Sequence, residues 1–109
     1  MAIKANLFID QGSTHATQLA ITDTNGDSVD LTGYTAVAQI RKHFTSSNSV
    51  SFQTSITAYP GAITLTLSAN ATSNLVSGRY VYDVEVVDSQ GLVSRMVEGI
   101  VTISPNVTR

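Results

Sequence analysis

Apolar and polar residues alternate with a period of two along most of this chain, the mark of strands that bury one face. The clearest run covers 78–103. Tyr80, Tyr82, Val84 and Val86 alternate there with Asp83 and Glu85. Asp88-Ser89-Gln90-Gly91 then offers a type I turn, with Gly91 free to take the left-handed conformation that a short hairpin loop needs. Apolar residues resume at once and continue to Ile103. The pattern predicts a long β-hairpin on which the remaining strands are templated.

The rest of the chain shows the same rhythm in shorter pieces. A first strand is expected over 5–10, with Leu7 and Ile9 on one face and Phe8 on the other. A second covers 15–23, with Thr17, Leu19 and Ile21 opposite Ala16, Gln18 and Ala20. Ala36, Ala38 and Ile40 share a face of a third strand over 35–43. A fourth covers 50–57 with Val50, Phe52 and Ile56 inward, and a fifth covers 62–68 with Ile63, Leu65 and Leu67 aligned. Turn chemistry separates them: Gln11-Gly12-Ser13-Thr14, the cluster around Asp23 to Asp27, Thr32-Gly33-Tyr34, the TSSNS run and Tyr59-Pro60-Gly61. SANATSNLV breaks the rhythm and reads as one helical turn, with Ser68 as N-cap and Leu75 as anchor. About seven short strands with a turn between nearly every pair predict an all-β, Ig-like antiparallel β-sandwich with one short helical turn. The segments ITDTNGDSV and VVDSQGLVS each place an Asp three residues before a Gly, as two hairpins with one turn chemistry would.

One set of residues does not fit a solvated outer face. Strict alternation puts Val81, Val87, Val93 and Val97 with Asp83 and Glu85, while Met96 and Ile100 point inward. Either a bulge near Gly99 shifts the phase, or this face is partly covered by a partner. These valines are the candidate partner interface. On the same face, Glu85 is expected opposite Arg95, and Arg41 beside Asp83.

At 109 residues the chain fits one domain, 1–109, with 105–109 as a polar C-terminal tail after Pro105. Charged residues are only 13% and net charge is −2, so no basic surface for nucleic acid or an anionic membrane is expected. Cysteine is absent, which removes disulfides and thiol chemistry. The N-terminal run has one lysine and is broken by Asn6 and Asp10, unlike a signal peptide or a membrane span. The mature protein is accordingly expected to begin at or next to Met1.

Candidate chemistry is thin. Asp23, Asp27 and Asp30 have the oxygen donors for Ca²⁺ but lack the remaining ligands of a calcium loop, and turn aspartates usually bond their own backbone. Asp83 and Glu85 are neighbouring carboxylates of the kind a glycosidase uses, but mid-strand they read as members of cross-strand ion pairs. His15 and His43 have no second ligand at metal spacing. Neither a nucleophile elbow nor a phosphate loop occurs. No cofactor, metal or catalytic residue is expected, and the protein reads as a non-enzyme. Tyr34, Tyr59, Tyr80 and Tyr82 could form a sugar-binding platform, although Tyr80 and Tyr82 fit better as core residues with rim hydroxyls.

Taken in order, the punctuation is distinctive: IDQGST, then TDTNGDSVDLTGYTAVAQIRK, GAITLTLSANATSNLVSGRYVYDVEVVD and a closing strand with Arg95 and Gly99. This series resembles small virion structural proteins of tailed bacteriophages, and the Ig-like N-terminal domain of phage baseplate upper proteins. The resemblance covers nearly the whole chain. It implies a non-enzymatic virion structural or assembly protein of tail, baseplate, neck or head decoration. Its partners would be other phage structural proteins, in several copies or as a homo-oligomer, and its location the virion after synthesis in the host cytoplasm. The alternative is a β-sandwich that binds carbohydrate or a host surface through Tyr59 and loop residues such as Asn48.

Overall fold

The computed structural model describes residues 3–23, 25–43, 45–47 and 49–105; Asn48 and the tail after Pro105 lie outside them. Among the described residues, nine strand segments and one short helix follow each other: β1 (Ile3–Lys4), β2 (Leu7–Asp10), β3 (His15–Ala20), β4 (Thr35–Arg41), β5 (Val50–Ser51), β6 (Gln53–Thr57), β7 (Ala62–Leu67), α1 (Ala69–Ser73), β8 (Gly78–Val87) and β9 (Val93–Ser104). They form two sheets. The larger has the order β1-β9-β8-β4-β5, with β2 also on β9, and the smaller has the order β3-β7-β6. This is an all-β sandwich, and its strand order is Ig-like. The last hairpin and β4 make one sheet, and β7 sits between β3 and β6 in the other.

The sheets meet mostly through residues that alternation marks as inward: Leu7, Ile9, Ala38, Ile40, Ile63, Leu65, Leu67, Tyr82, Val84 and Val86 are all buried. Val101 and Ile103, which strict alternation would set outward with Val97, are buried as well. Each fully buried aliphatic side chain contributes about 1.5–3 kcal/mol. Phe52 and Tyr82 meet edge to face, centroids 6.1 Å apart. Ser68 caps α1 by accepting from the Ala71 N–H. Thr72 is the helix's buried polar residue, and its hydroxyl donates to the Ser13 carbonyl at 2.8 Å, tying the helix to the first turn. Tyr80, near the start of β8, donates to the Val76 carbonyl at 2.7 Å. That bond back to the upstream backbone is the corner tyrosine of Ig-type sandwiches.

Four features depart from simple alternation. The sandwich is not wholly antiparallel, because β1 and β2 run parallel to β9. The expected first strand is broken at Ala5 and Asn6, where Asn6 Oδ1 accepts from the Ile100 N–H and the Ala5 carbonyl accepts from Tyr82. The expected fourth strand changes sheets at Phe52: β5 pairs with β4, whereas β6 pairs with β7. The fourth is a bulge in β9. Val84 faces Val97 but the next residue, Glu85, faces Arg95, so Met96 is the extra residue. A bulge moves every later side chain to the opposite face. Val97 therefore enters the core at 0% exposure, and Ile100 turns outward. The phase change lies at Met96, not near Gly99. Gly99 is needed for a separate reason, since a Cβ there would overlap the Ala5 carbonyl oxygen.

The two Asp–Gly turns share one geometry. Asp23 Oδ1 accepts from the Asn25 and Asp27 N–H groups, and Asp88 Oδ1 from those of Gln90 and Leu92. Gly26 and Gly91 follow at φ 84° and 85°, in the left-handed region.

Candidate functional site

The outward face of the larger sheet is the surface that the valine set pointed to. Its rows follow from the register. Thr35, Val87 and Val93 lie side by side at the hairpin end. Val37, Glu85 and Arg95 form the next row, then Gln39, Asp83 and Glu98, then Arg41, Val81 and Ile100. Phe8 stands beside Thr102 at the margin. Two apolar zones result, separated by a charged belt. One holds Val37 (52% exposed), Val87 and Val93 (61%); the other holds Val81, Ile100 (42%) and Phe8 (75%).

Three of the four candidate interface valines share this face. Val93 is exposed, and Val81 and Val87 are half-buried. Val97 is not on it, because the Met96 bulge turns it into the core. Val37, Ile100 and Phe8 belong to the face and were absent from the candidate set. Val37 is found by pairing β4 with β8 in register, and Ile100 only once the bulge is placed.

The charged belt is organised by Arg95. Its Nε lies 3.4 Å from Asp83 Oδ2 and its Nη1 3.5 Å from Glu98 Oε2. Arg95 stands opposite Glu85 as expected, but the added twist of the bulge aims its guanidinium diagonally at Asp83. Arg41 does not serve Asp83. It donates to the Ser46 carbonyl at 2.6 Å and to Gln39 Oε1 at 3.0 Å. Both Arg95 contacts are solvent-exposed, so each contributes roughly 0–1 kcal/mol and sets surface character more than stability. A shallow recess of about 250 Å³ opens here, lined by Gln39, Arg41, Val81, Asp83, Arg95 and Glu98.

The remaining candidates do not converge. Asp23 is engaged by its own turn, and Asp30 Oδ1 accepts from the Thr32 backbone and hydroxyl. Those bonds hold the Asp30 carboxyl below its usual range. Among the described residues, no group of three or more metal-ligating side chains gathers. His15 contacts the Thr17 hydroxyl at 2.6 Å; burial lowers its pKa, against an opposing pull from Asp10. Tyr82 is buried and Tyr80 half-buried, so neither joins exposed Tyr59 in an aromatic platform.

The fold and this face together define an Ig-like β-sandwich whose larger sheet carries a mixed apolar and charged outer surface. No family model and no curated protein matches the chain. Among solved structures it is similar to an internalin-like protein of Listeria monocytogenes, lmo2027, at 22% identity and a TM-score of 0.46. That match covers 96% of this chain and 28% of the other, so this chain spans little more than a quarter of that protein. It is also similar to CopC from Methylosinus trichosporium OB3b, at 17% identity and a TM-score of 0.49, over 94% of this chain and 89% of the other. At these identities and scores neither neighbour bears on what the chain does.

Proposed function

We propose that this chain is a non-enzymatic structural module of a tailed-phage particle, acting through protein–protein contacts on the outer face of its larger sheet. The observation that carries the reading is that face. Two apolar zones flank an ion-paired belt, the mixture of apolar contact and polar register that non-obligate protein interfaces use. The face lies on the paired strands β4, β8 and β9 and not on loops, which keeps low the backbone ordering that docking would cost. Repetition around a particle would multiply a weak single contact. The order of motifs along the sequence, similar to that of phage virion proteins, supplies the kind of partner.

Immunogold electron microscopy of particles from the source, with antibody to this chain, tests the proposal. Label concentrated at the tail tip, neck or capsid is expected. Intact particles without label, with an antibody shown to recognise the folded chain, would remove the reading and favour a glycan-binding role centred on Tyr59.

A further inference from the structure

A second surface stands apart from that face: the open edge of β3. In the smaller sheet β3 pairs on one side only, with β7. Its ladder fixes which backbone groups are left over. Ile21 N–H donates to the Gly61 carbonyl at 2.9 Å, continuing the β3–β7 register. Backbone groups alternate in direction along a strand, so His15, Thr17 and Leu19 point theirs at β7. Ala16, Gln18 and Ala20 point theirs outward, and no backbone partner meets them among the described residues.

The other margins of the sandwich are guarded. β5 has only two residues. β1 and β2 are interrupted at Ala5 and Asn6 and carry Lys4 and Asp10. β6 is drawn against the larger sheet, where Thr54 donates its hydroxyl to the Ala36 carbonyl and the Phe52 N–H donates to that of Ala38. β3 has none of these protections. Its sequence HATQLA holds no proline, glycine or lysine, and its register has no bulge. An unguarded edge of this kind is a template for another strand.

We infer that β3 pairs antiparallel with the β3 of a second copy of this chain, about a two-fold axis at Gln18. A two-fold interface requires a patch that complements itself, and the outward positions read the same in both directions: Ala16, Gln18, Ala20. Pairing centred there sets Ala16 against Ala20 and Gln18 against Gln18. Every outward N–H and C=O of these residues then finds a partner. The side chains that meet are small, or are amides that both donate and accept. No Asp, Glu, Lys or Arg lies in β3, so the juxtaposition creates no like-charge contact. The half-buried inner residues Thr17 and Leu19 gain cover from the added strand. The two smaller sheets become one continuous sheet, and both larger-sheet faces stay free. This inference does not depend on the virion reading.

Light scattering coupled to size-exclusion chromatography tests it on the purified chain. The wild type is expected at twice the 11.5 kDa chain mass. Gln18→Lys and Gln18→Glu each set like charges across the axis and should halve that mass, with the circular dichroism spectrum unchanged because Gln18 is exposed, and with a thermal midpoint that no longer rises with protein concentration as the wild type's does. An equimolar mixture of the two should restore the doubled mass by pairing Lys with Glu. A wild type at the single-chain mass up to its solubility limit would overturn the inference. So would variants that stay dimeric, or a mixture that stays monomeric.

Discussion

Replacing Tyr82 by Phe should change stability in opposite directions at neutral and at high pH. Tyr82 is 3% exposed, opposite Gly99 in the β8–β9 ladder, and its hydroxyl donates to the Ala5 carbonyl at 2.6 Å. Removing that hydroxyl costs about 1 kcal/mol, the usual net value of such a bond. Burial also pushes the Tyr82 phenol up to about 12 from its ordinary 10.0. The folded state therefore holds the proton more tightly than the unfolded chain does. The associated stability is complete below the unfolded value and is lost as pH rises toward the folded one. The loss amounts to about 1.4 kcal/mol by about pH 11 and about 2 kcal/mol by about pH 12. The Phe variant has no such group to titrate. It should be the less stable protein near about pH 8 and the more stable one near about pH 12, with the curves crossing close to about pH 11. Urea unfolding of both proteins across this range measures the difference directly, since other titrating groups are common to the pair. A gap that stays constant with pH would refute the burial argument, and no gap near neutrality would refute the hydrogen bond's contribution.

Gly99→Ala should cost about 2 kcal/mol or more in urea unfolding, because the new Cβ overlaps the Ala5 carbonyl and that backbone must move. Val97→Asp should abolish folding by circular dichroism, since it buries a carboxylate in the core. Val87→Asp and Val81→Asp, on the outer face, should leave the fold intact and reduce incorporation into particles; incorporation at the wild-type level would count against that face as the contact. Burial lowers the His15 pKa, so the folded state favours the neutral ring. Its contribution is complete above the ordinary 6.5 and is lost as pH falls through and below that value. The wild type should lose more stability than His15→Gln between about pH 7 and about pH 5, and equal slopes would contradict the assignment.

Much of the fold is legible because alternation is a local property. Leu7 with Ile9, Ala36 with Ala38 and Ile40, and Ile63 with Leu65 and Leu67 fall on the faces that period-two reading gives them, since each strand borders a single core. The Asp–Gly turns and the Ser68 cap are legible for the same reason: the residue that makes the geometry sits inside it. What is not legible is pairing. Nothing in LFID says that it will run parallel to β9 rather than antiparallel to a neighbour. Nothing in VSFQTSIT marks Phe52 as the point where the chain leaves one sheet for the other. The Phe52 N–H still reaches the Ala38 carbonyl in register with β4, and the next residue, Gln53, already faces Thr66 of β7; both partners are far away in sequence.

The outer face shows how one unmarked residue redistributes a site. The sequence does register a conflict, because strict alternation places Val93 and Val97 outside and Met96 and Ile100 inside. A bulge resolves it, and glycine is the residue that most often signals one, which draws attention to Gly99. Yet Gly99 answers to the Ala5 carbonyl pressed against it, and the extra residue is Met96, whose long flexible side chain packs on the core from an irregular position. Moving the slip upstream of Val97 exchanges Val97 for Ile100 on the surface. It also swings Arg95 from Glu85 to Asp83, so one backbone irregularity sets both the apolar zone and the charged belt beside it. Pairing Met96 in the ladder, instead of bulging it out, would restore strict alternation, returning Val97 to the surface and forcing Glu98 and Ile100 into the core. The face and the fold are therefore coupled through Met96: the contact surface cannot be re-registered without burying a carboxylate.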